Sequence, residues 1–351
     1  MLKDALPNGG AERQLALLMR HLPDDVERRV WTMGGGPFVE EIESLGYRVE
    51  IARRAARFDV RPAISLWKLM ASWRPDVVHS WNWMCSLAAI PACRLLGIPL
   101  VDGSIRSGIA PRRVLVSKLC QHAATRVVAN SEAGLRAWGV GGTKGRVVYN
   151  GLDPERLPSH VDPGGTSRRP GTVVMTGRMV PQKDFSSLIS AARELDAREP
   201  GEWRFLLVGV GPDRRRLTTL AGDLVEHGTV EFIDGGVDVM PFVREAHIGV
   251  LMSHEAIHKE GCSNAMMEFM ASGLPVVCSG GGGNPELVVD GVTGFLVSAG
   301  DWRALVVRLV DLKDHPDSAE MMGEAGLTRI REKFGIKRMV QRWLEIYGEI
   351  A

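Results

Sequence analysis

Short runs rich in Val, Ile and Leu recur along the chain, separated by stretches whose apolar residues return every three or four positions. The short runs predict strands at 30–33, 47–51, 76–80, 99–102, 126–130 and 147–149. The longer periods predict helices at 37–45, 62–73, 84–96, 112–123 and 131–138, with Gly46 and Gly97 as stops. After 159–171, rich in Pro and Gly and read as a linker, the rhythm resumes. Strands are expected at 172–176, 205–208, 230–233, 248–252, 275–278 and 295–297. Helices are expected at 185–197, 214–225, 301–312, 318–333 and 337–350. Alternation of this kind makes an α/β fold, a parallel sheet with helices on both faces. Ligands bind such sheets beyond the carboxyl ends of the strands. Four segments are expected: a first domain over 1–158, the linker over 159–171, a second domain over 172–333 and a terminal helix over 334–351.

The opening breaks the rhythm. Residues 1–7 are too short and too polar for a buried parallel strand, which should be a run of Val, Ile and Leu. Yet Asn8-Gly9-Gly10 leads into a helix with Leu15, Leu18, Met19 and Leu22 on one face. Two glycines before a helix let backbone approach a phosphate, and they serve equally in a plain loop. The first strand is therefore expected to be absent or vestigial. Either the true start lies upstream or the first domain lacks its central strand.

Composition narrows the class. The 351 residues are enough for two domains, and 45% hydrophobic with 24% charged residues is ordinary for a globular chain. A formal net charge of +1 gives no reason to expect a nucleic-acid partner. Five cysteines with no paired spacing point to reduced thiols in a cytoplasm and to no metal site. The most apolar stretch, 84–101, is broken by Pro91, Arg94 and Pro99, so no transmembrane helix is expected. The N-terminus lacks a signal-peptide pattern.

The chemistry gathers around Glu260-Gly261-Cys262-Ser263-Asn264, which enters a helix running to Ala271 and stopped by Gly273 and Pro275. Ser263 or Asn264 is placed to cap it. One carboxylate, Glu260, precedes the first turn and the other, Glu268, lies within the helix. Exposed N–H groups beside two acceptor-only carboxylates suit a ligand with both phosphate and hydroxyls, such as a nucleotide sugar. A capped helix whose glutamates face solvent has the same spacing. Upstream, Arg178 and Lys183 follow the first strand of the second domain and so stand at the carboxyl edge of its sheet. Such cations bind phosphate oxygens, Arg as a planar fork and Lys as a point charge.

The order Glu260, seven residues, Glu268, then Ala271-Ser272-Gly273-Leu274-Pro275-Val276-Val277, a glycine-rich turn, and Asn284-Pro285-Glu286-Leu287 through Gly294-Phe295-Leu296-Val297 closely resembles the family 4 retaining glycosyltransferases. The resemblance runs in register over about forty residues. It implies the GT-B architecture, two Rossmann-like doubly wound parallel-sheet domains facing a cleft. It implies transfer of a hexosyl-type sugar from a nucleoside-diphosphate sugar to a carbohydrate, lipid-linked or small-molecule acceptor, with retention and with no metal or other cofactor. In that pattern Arg178 and Lys183 meet the leaving diphosphate, Glu268 the ribose and Glu260 the transferred sugar. Gly261, Cys262, Ser263 and Asn264 offer backbone to sugar and phosphate, and Gly9 and Gly10 lie near the diphosphate. Similar proteins also return the last helix to the first domain. Gly280–Gly283 either shapes the loop under the donor or is a loose turn.

One departure stands out. Members usually carry a histidine after the fifth strand of the first domain, where this chain has Val101-Asp102-Gly103-Ser104-Ile105-Arg106. Arg106 or Ser104 takes its place. His79 ends a strand and reads as a hydrogen-bonded structural residue. For the acceptor, Trp67, Trp73, Trp81 and Trp83 offer flat surfaces but default to core packing. Arg112, Arg113 and Lys118, beside Leu115 and Leu119, form either a basic face for peripheral membrane contact or a solvated helix edge. A catalytically silent nucleotide-sugar-binding or partner subunit on the same scaffold is the competing reading. It rests on the missing strand and the missing histidine. A sugar epimerase of the same architecture fits the Glu-x7-Glu and Gly-Arg-x4-Lys patterns less well.

Overall fold

The computed structural model describes residues 1–56, 59–110, 114–156, 168–235 and 238–351. The chain divides into two units, Met1–Gly151 with Ile336–Ala351, and Leu152–Gly335. The unit boundary falls at Gly151, earlier than residue 158. Residues 159–167 of the expected linker, and the start of the expected helix 112–123, lie outside the described residues.

The first unit holds seven parallel strands: β1 (Leu2–Lys3), β2 (Val30–Thr32), β3 (Val49–Ile51), β4 (Val78–Ser80), β5 (Leu100–Ile105), β6 (Arg126–Ala129) and β7 (Gly145–Val147). Their order is β3-β2-β1-β4-β5-β6-β7. Of the two expectations for the first strand, absence is corrected and the vestigial form is what the structure has: β1 is the two-residue central strand, paired with β2 and β4. It escaped the hydrophobic pattern because it is two residues long and one of them is a buried lysine. The Lys3 ammonium is neutralised by Asp4 and by Glu12 at 2.8 Å, so charge pairing replaces apolar burial. With β1 present, one of the two arguments for a silent scaffold falls away.

Helix Gly10–His21 buries Leu15, Leu18 and Met19 on the same core cluster as Trp343 and Ile346 of the last helix, Ile336–Gly348. That last helix is strongly two-faced: Ile336, Met339, Val340, Trp343 and Ile346 are buried at helical spacing. The opposite face of the sheet is covered by the helices Arg61–Trp73, Trp83–Leu96 and Leu115–Ala123, which lie side by side. Right-handed crossovers from β3 to β6 require this one-sided placement.

The second unit has six parallel strands: β8 (Thr172–Thr176), β9 (Arg204–Val208), β10 (Val230–Ile233), β11 (Ile248–Leu251), β12 (Val276–Ser279) and β13 (Gly294–Val297). Their order, β10-β9-β8-β11-β12-β13, reverses direction between β8 and β11. Strands β8, β11 and β12 are buried along their whole length, as strands covered on both faces must be. The expected helix 214–225 is divided at Gly222 into Arg214–Ala221 and Asp223–Glu226. Short helices at Met240–Glu245 and Asn284–Leu287 were not anticipated, being too brief to show a period.

Candidate functional site

In the second unit the chain reverses winding between β8 and β11, and open sheets of this kind take ligands beyond the carboxyl ends of the strands at such a reversal. The two loops run against each other. Asp184 N donates to Met252 O at 3.0 Å and His254 N donates to Gln182 O at 3.1 Å. This antiparallel contact sets Lys183 opposite Ser253. From there the Lys183 ammonium reaches Glu260, with Nζ 2.6 Å from Oε1. Ser253 Oγ donates to the same oxygen at 3.0 Å, and His258 Nε2 lies 3.4 Å from it.

Glu260 is buried. Burial alone would raise its carboxyl, but the Lys183 charge and the His258 contact outweigh it and hold it well below the ordinary carboxylate range. The carboxylate therefore stays ionised and fixed. The loop of glycines behind it is also fixed. Gly283 N donates to Glu260 O at 2.8 Å, and Gly281 N donates to Glu255 Oε1 at 2.6 Å. Gly282 has a φ of +65°, and a Cβ there would sit 2.3 Å from the Glu260 carbonyl oxygen. Only glycine fits, so this is a shaped turn and not a loose one.

Three residues on, Ser263 caps the helix Asn264–Ala271 by accepting from Met266 N. The Cys262 side chain is buried, 3.5 Å from Met267 Sδ, so only its backbone is offered to a ligand. Glu268 is buried within the helix and paired with Arg156, whose guanidinium is also 3.5 Å from Asp238. Arg156 is a residue the sequence did not single out. It sits on a single turn, Pro154–Arg156, at the start of the unit, where no periodic pattern marks it. Arg178 is exposed on the loop after β8 and has no side-chain ion pair or hydrogen bond among the described residues. Lys183 and Glu260 are thus brought together, Glu268 forms a second pair, and Arg178 stands as an available cation.

The same loop ends are built with little room. A Cβ on Gly209, after β9, would lie 1.9 Å from the Gly177 carbonyl oxygen beside Arg178. Backbone against backbone at this edge leaves no space for side chains and fixes the path of the Arg178 loop.

In the first unit Gly9 caps helix Gly10–His21, and a Cβ on it would meet Glu12 Oε2 at 2.3 Å. Arg106 is held in place. Its Nε donates to Gly103 O at 3.1 Å, its Nη1 donates to Asn150 Oδ1 at 3.3 Å, and its guanidinium lies 4.3 Å above the Trp81 ring. His79 is buried, with Nδ1 2.8 Å from the Tyr347 hydroxyl and its ring 4.2 Å from that of Trp343. Burial, with Arg106 nearby, pushes its pKa well below the ordinary histidine value, so it is neutral. Among the tryptophans the core default holds for Trp81, while Trp67 and Trp83 are exposed.

Two doubly wound parallel sheets define an enzyme of the GT-B fold class. The comparisons say which family. Residues 170–315 match the description "Glycosyl transferases group 1" and residues 8–156 match "Glycosyltransferase Family 4". The chain belongs to the group 1, family 4 glycosyltransferases. Glycogen synthase of Mycobacterium tuberculosis is 25% identical over 82% of this chain and 72% of its own length. A GDP-mannose-dependent phosphatidylinositol monomannoside mannosyltransferase of Mycolicibacterium smegmatis is 32% identical over 50% of this chain and 46% of its own. The crystal structure of Anabaena HepE in complex with UDP-glucose superposes with a TM-score of 0.85 at 20% identity, covering 99% of this chain and 98% of that one. That likeness shares the fold. The protein is a glycosyltransferase.

Proposed function

We propose that the donor is a nucleoside-diphosphate sugar and that a hexosyl-type sugar passes to a carbohydrate, lipid-linked or small-molecule acceptor with retention and without a metal. The observation that carries this is the Lys183–Glu260 pair at the winding reversal of the second unit, an ionised carboxylate beside a cation at the place where this fold class takes its ligands. A relative named for a GDP-mannose donor, and a fold neighbour solved with UDP-glucose, support the donor class.

In this reading Lys183 and Arg178 meet the charge that builds on the departing diphosphate. Fixed donors of this kind contribute several kcal/mol in a water-poor site. Glu260, kept ionised, accepts hydroxyls of the sugar, and Glu268 accepts those of the ribose. Gly261 to Asn264 present backbone to the sugar and phosphate. The leaving phosphate takes the acceptor proton on the face it leaves, so no separate carboxylate base is required. In the first unit Gly9 and Gly10 serve the diphosphate, and Arg106 stands where other members place a histidine.

A panel of nucleotide sugars tests the donor directly. A bound donor stabilises the chain by mass action, about 2.7 kcal/mol at a hundred times its Kd, seen as a rise in Tm. Release of nucleoside diphosphate with the same sugar then reports chemistry. If no nucleotide sugar raises Tm, the donor assignment is wrong. If the product's anomeric linkage is opposite to the donor's, retention is wrong.

A further inference from the structure

Two demands fall on Lys183. Its ammonium stands 2.6 Å from Glu260 Oε1, and the reading proposed above sends the same cation to a diphosphate. The side chain is free to turn. It carries a point charge on a flexible stem, and that stem packs along Gly177, the neighbour of Arg178, where a Cβ would stand 3.7 Å from Lys183 Cε. Glu260 cannot follow it, because the carboxylate is buried and its own carbonyl is held by Gly283 N. With Lys183 turned away, a buried carboxylate would stand without its cation. That is strongly unfavourable unless another donor takes the place.

Two other side chains already approach the same oxygen. Ser253 Oγ donates to it at 3.0 Å, and His258 Nε2 lies 3.4 Å from it. Only the histidine can bring a positive charge, since a hydroxyl stays neutral and an imidazole gains its proton near neutral pH. Backbone bonds set His258 in place. Its N–H donates to His254 O at 3.0 Å, closing one turn, and His254 N donates to Gln182 O at 3.1 Å, on the loop that carries Lys183. Glu255 ties the same turn to the glycine loop by accepting from Gly281 N at 2.6 Å. The charged groups around the imidazole are Glu260, Lys183 on the same carboxylate, and Glu255 and Lys259 of its own turn, 4.0 Å apart, with His254 titratable beside them. From β12 comes the Cys278 thiol, whose pKa burial and Glu260 push up, so that it stays protonated. The His258 side chain is 26% exposed, enough for a proton to reach it from solvent.

We infer that His258 is a positioning residue for Glu260: as Lys183 turns to the diphosphate, the imidazole takes a proton and becomes the cation that holds the carboxylate. No covalent bond between heavy atoms changes, and the proton comes from solvent. The inference rests on the donor reading and adds to it that donor binding carries a proton into the second unit.

Calorimetry with the nucleotide sugar that raises Tm most tests it, at about pH 7.5 in phosphate and in Tris, buffers that give up a proton with different heats. The heats of binding should differ in the sense of proton uptake. His258→Gln keeps an N–H donor near the place of Nε2 but cannot carry charge, and should abolish the difference while the donor still binds. His258→Ala offers neither and should lower the transfer rate by about ten- to a hundredfold, most of which the Gln variant should recover. A histidine with a merely structural role would move the rate and leave the buffer difference in place. Unchanged melting curves confirm that both variants are folded. A nucleotide sugar that raises Tm but binds the parent with equal heats in the two buffers overturns the inference and leaves the donor reading standing. So does a difference that survives His258→Gln. If no nucleotide sugar binds, both fall together.

Discussion

Each unit buries a lysine–glutamate pair near the reversal of its sheet, and the two pairs do opposite things. Lys3 ends β1 and meets Glu12 in the first turn of the next helix, a contact between neighbours in sequence. Lys183 follows β8 and meets Glu260, which follows β11, a contact that joins loops from two strands. In the first pair both side chains are about 90% enclosed, with exposures of 9 and 10%. In the second, Lys183 keeps 19%. The first pair substitutes for missing apolar residues in a two-residue central strand. The second fixes a carboxylate at the place proposed for the donor. Since both pairs lie near the reversal of their sheets, a buried ion pair by itself does not mark a functional site.

Substitution of each lysine separates the two roles, and here the largest effect is expected. Lys183→Ala should lower the transfer rate by roughly two to three orders of magnitude, measured as nucleoside diphosphate released per folded molecule. Lys3→Ala leaves Glu12 buried and uncompensated, and should cost about 3–5 kcal/mol of stability in denaturant unfolding. Its rate per folded molecule should stay near that of the parent. Near-parental turnover in the Lys183 variant would remove the donor role. A rate collapse in folded Lys3→Ala would show that the first pair is more than architecture.

The contrast also explains what the sequence could show. The strand–helix alternation, and with it the doubly wound sheets, was legible because fully buried strands such as β8 and β12 are plain Val-rich runs. β1 was not, because its burial is achieved by pairing Lys3 with Glu12 and leaves no hydrophobic signature. The segment from Glu260 to Glu268 was legible through a long motif in register. Arg156 was not, since a single turn has no period and its partner Glu268 is far away in sequence.

A smaller effect is expected at the second carboxylate. Glu268 is held by Arg156, and in the proposed role it also accepts from the ribose. Loss of hydrogen bonds to a charged acceptor costs about 1.5–3 kcal/mol. Glu268→Ala should therefore weaken donor binding by roughly ten- to a hundredfold in titration calorimetry. The same substitution in the first-unit pair, Glu12→Ala, should act chiefly on stability in denaturant unfolding, because it leaves Lys3 buried with Asp4 alone. Equal losses from both would erase the distinction drawn between the pairs.

The smallest effect concerns pH, and it too divides the units. His79 is buried and neutral in the folded first unit, its pKa pushed far down by burial. On unfolding it regains the ordinary value of 6.5 and takes up a proton. The unfolded state then binds more protons, so the stability His79 contributes is present above that value and is lost as pH falls below it. Between about pH 7.5 and 5.5 this amounts to about 1.4 kcal/mol. Glu260 in the second unit has a lowered pKa as well, but its unfolded value is 4.5, so its contribution is lost only in more acid solution. His79→Phe keeps a ring between Trp81 and Trp343 and removes the titration, at a constant cost for the unpaired Tyr347 hydroxyl. Denaturant unfolding of the parent and this variant at the two pH values should give a shallower dependence in the variant. Equal slopes would mean that His79 is already able to take a proton in the folded protein, and that the aromatic enclosure is open to water.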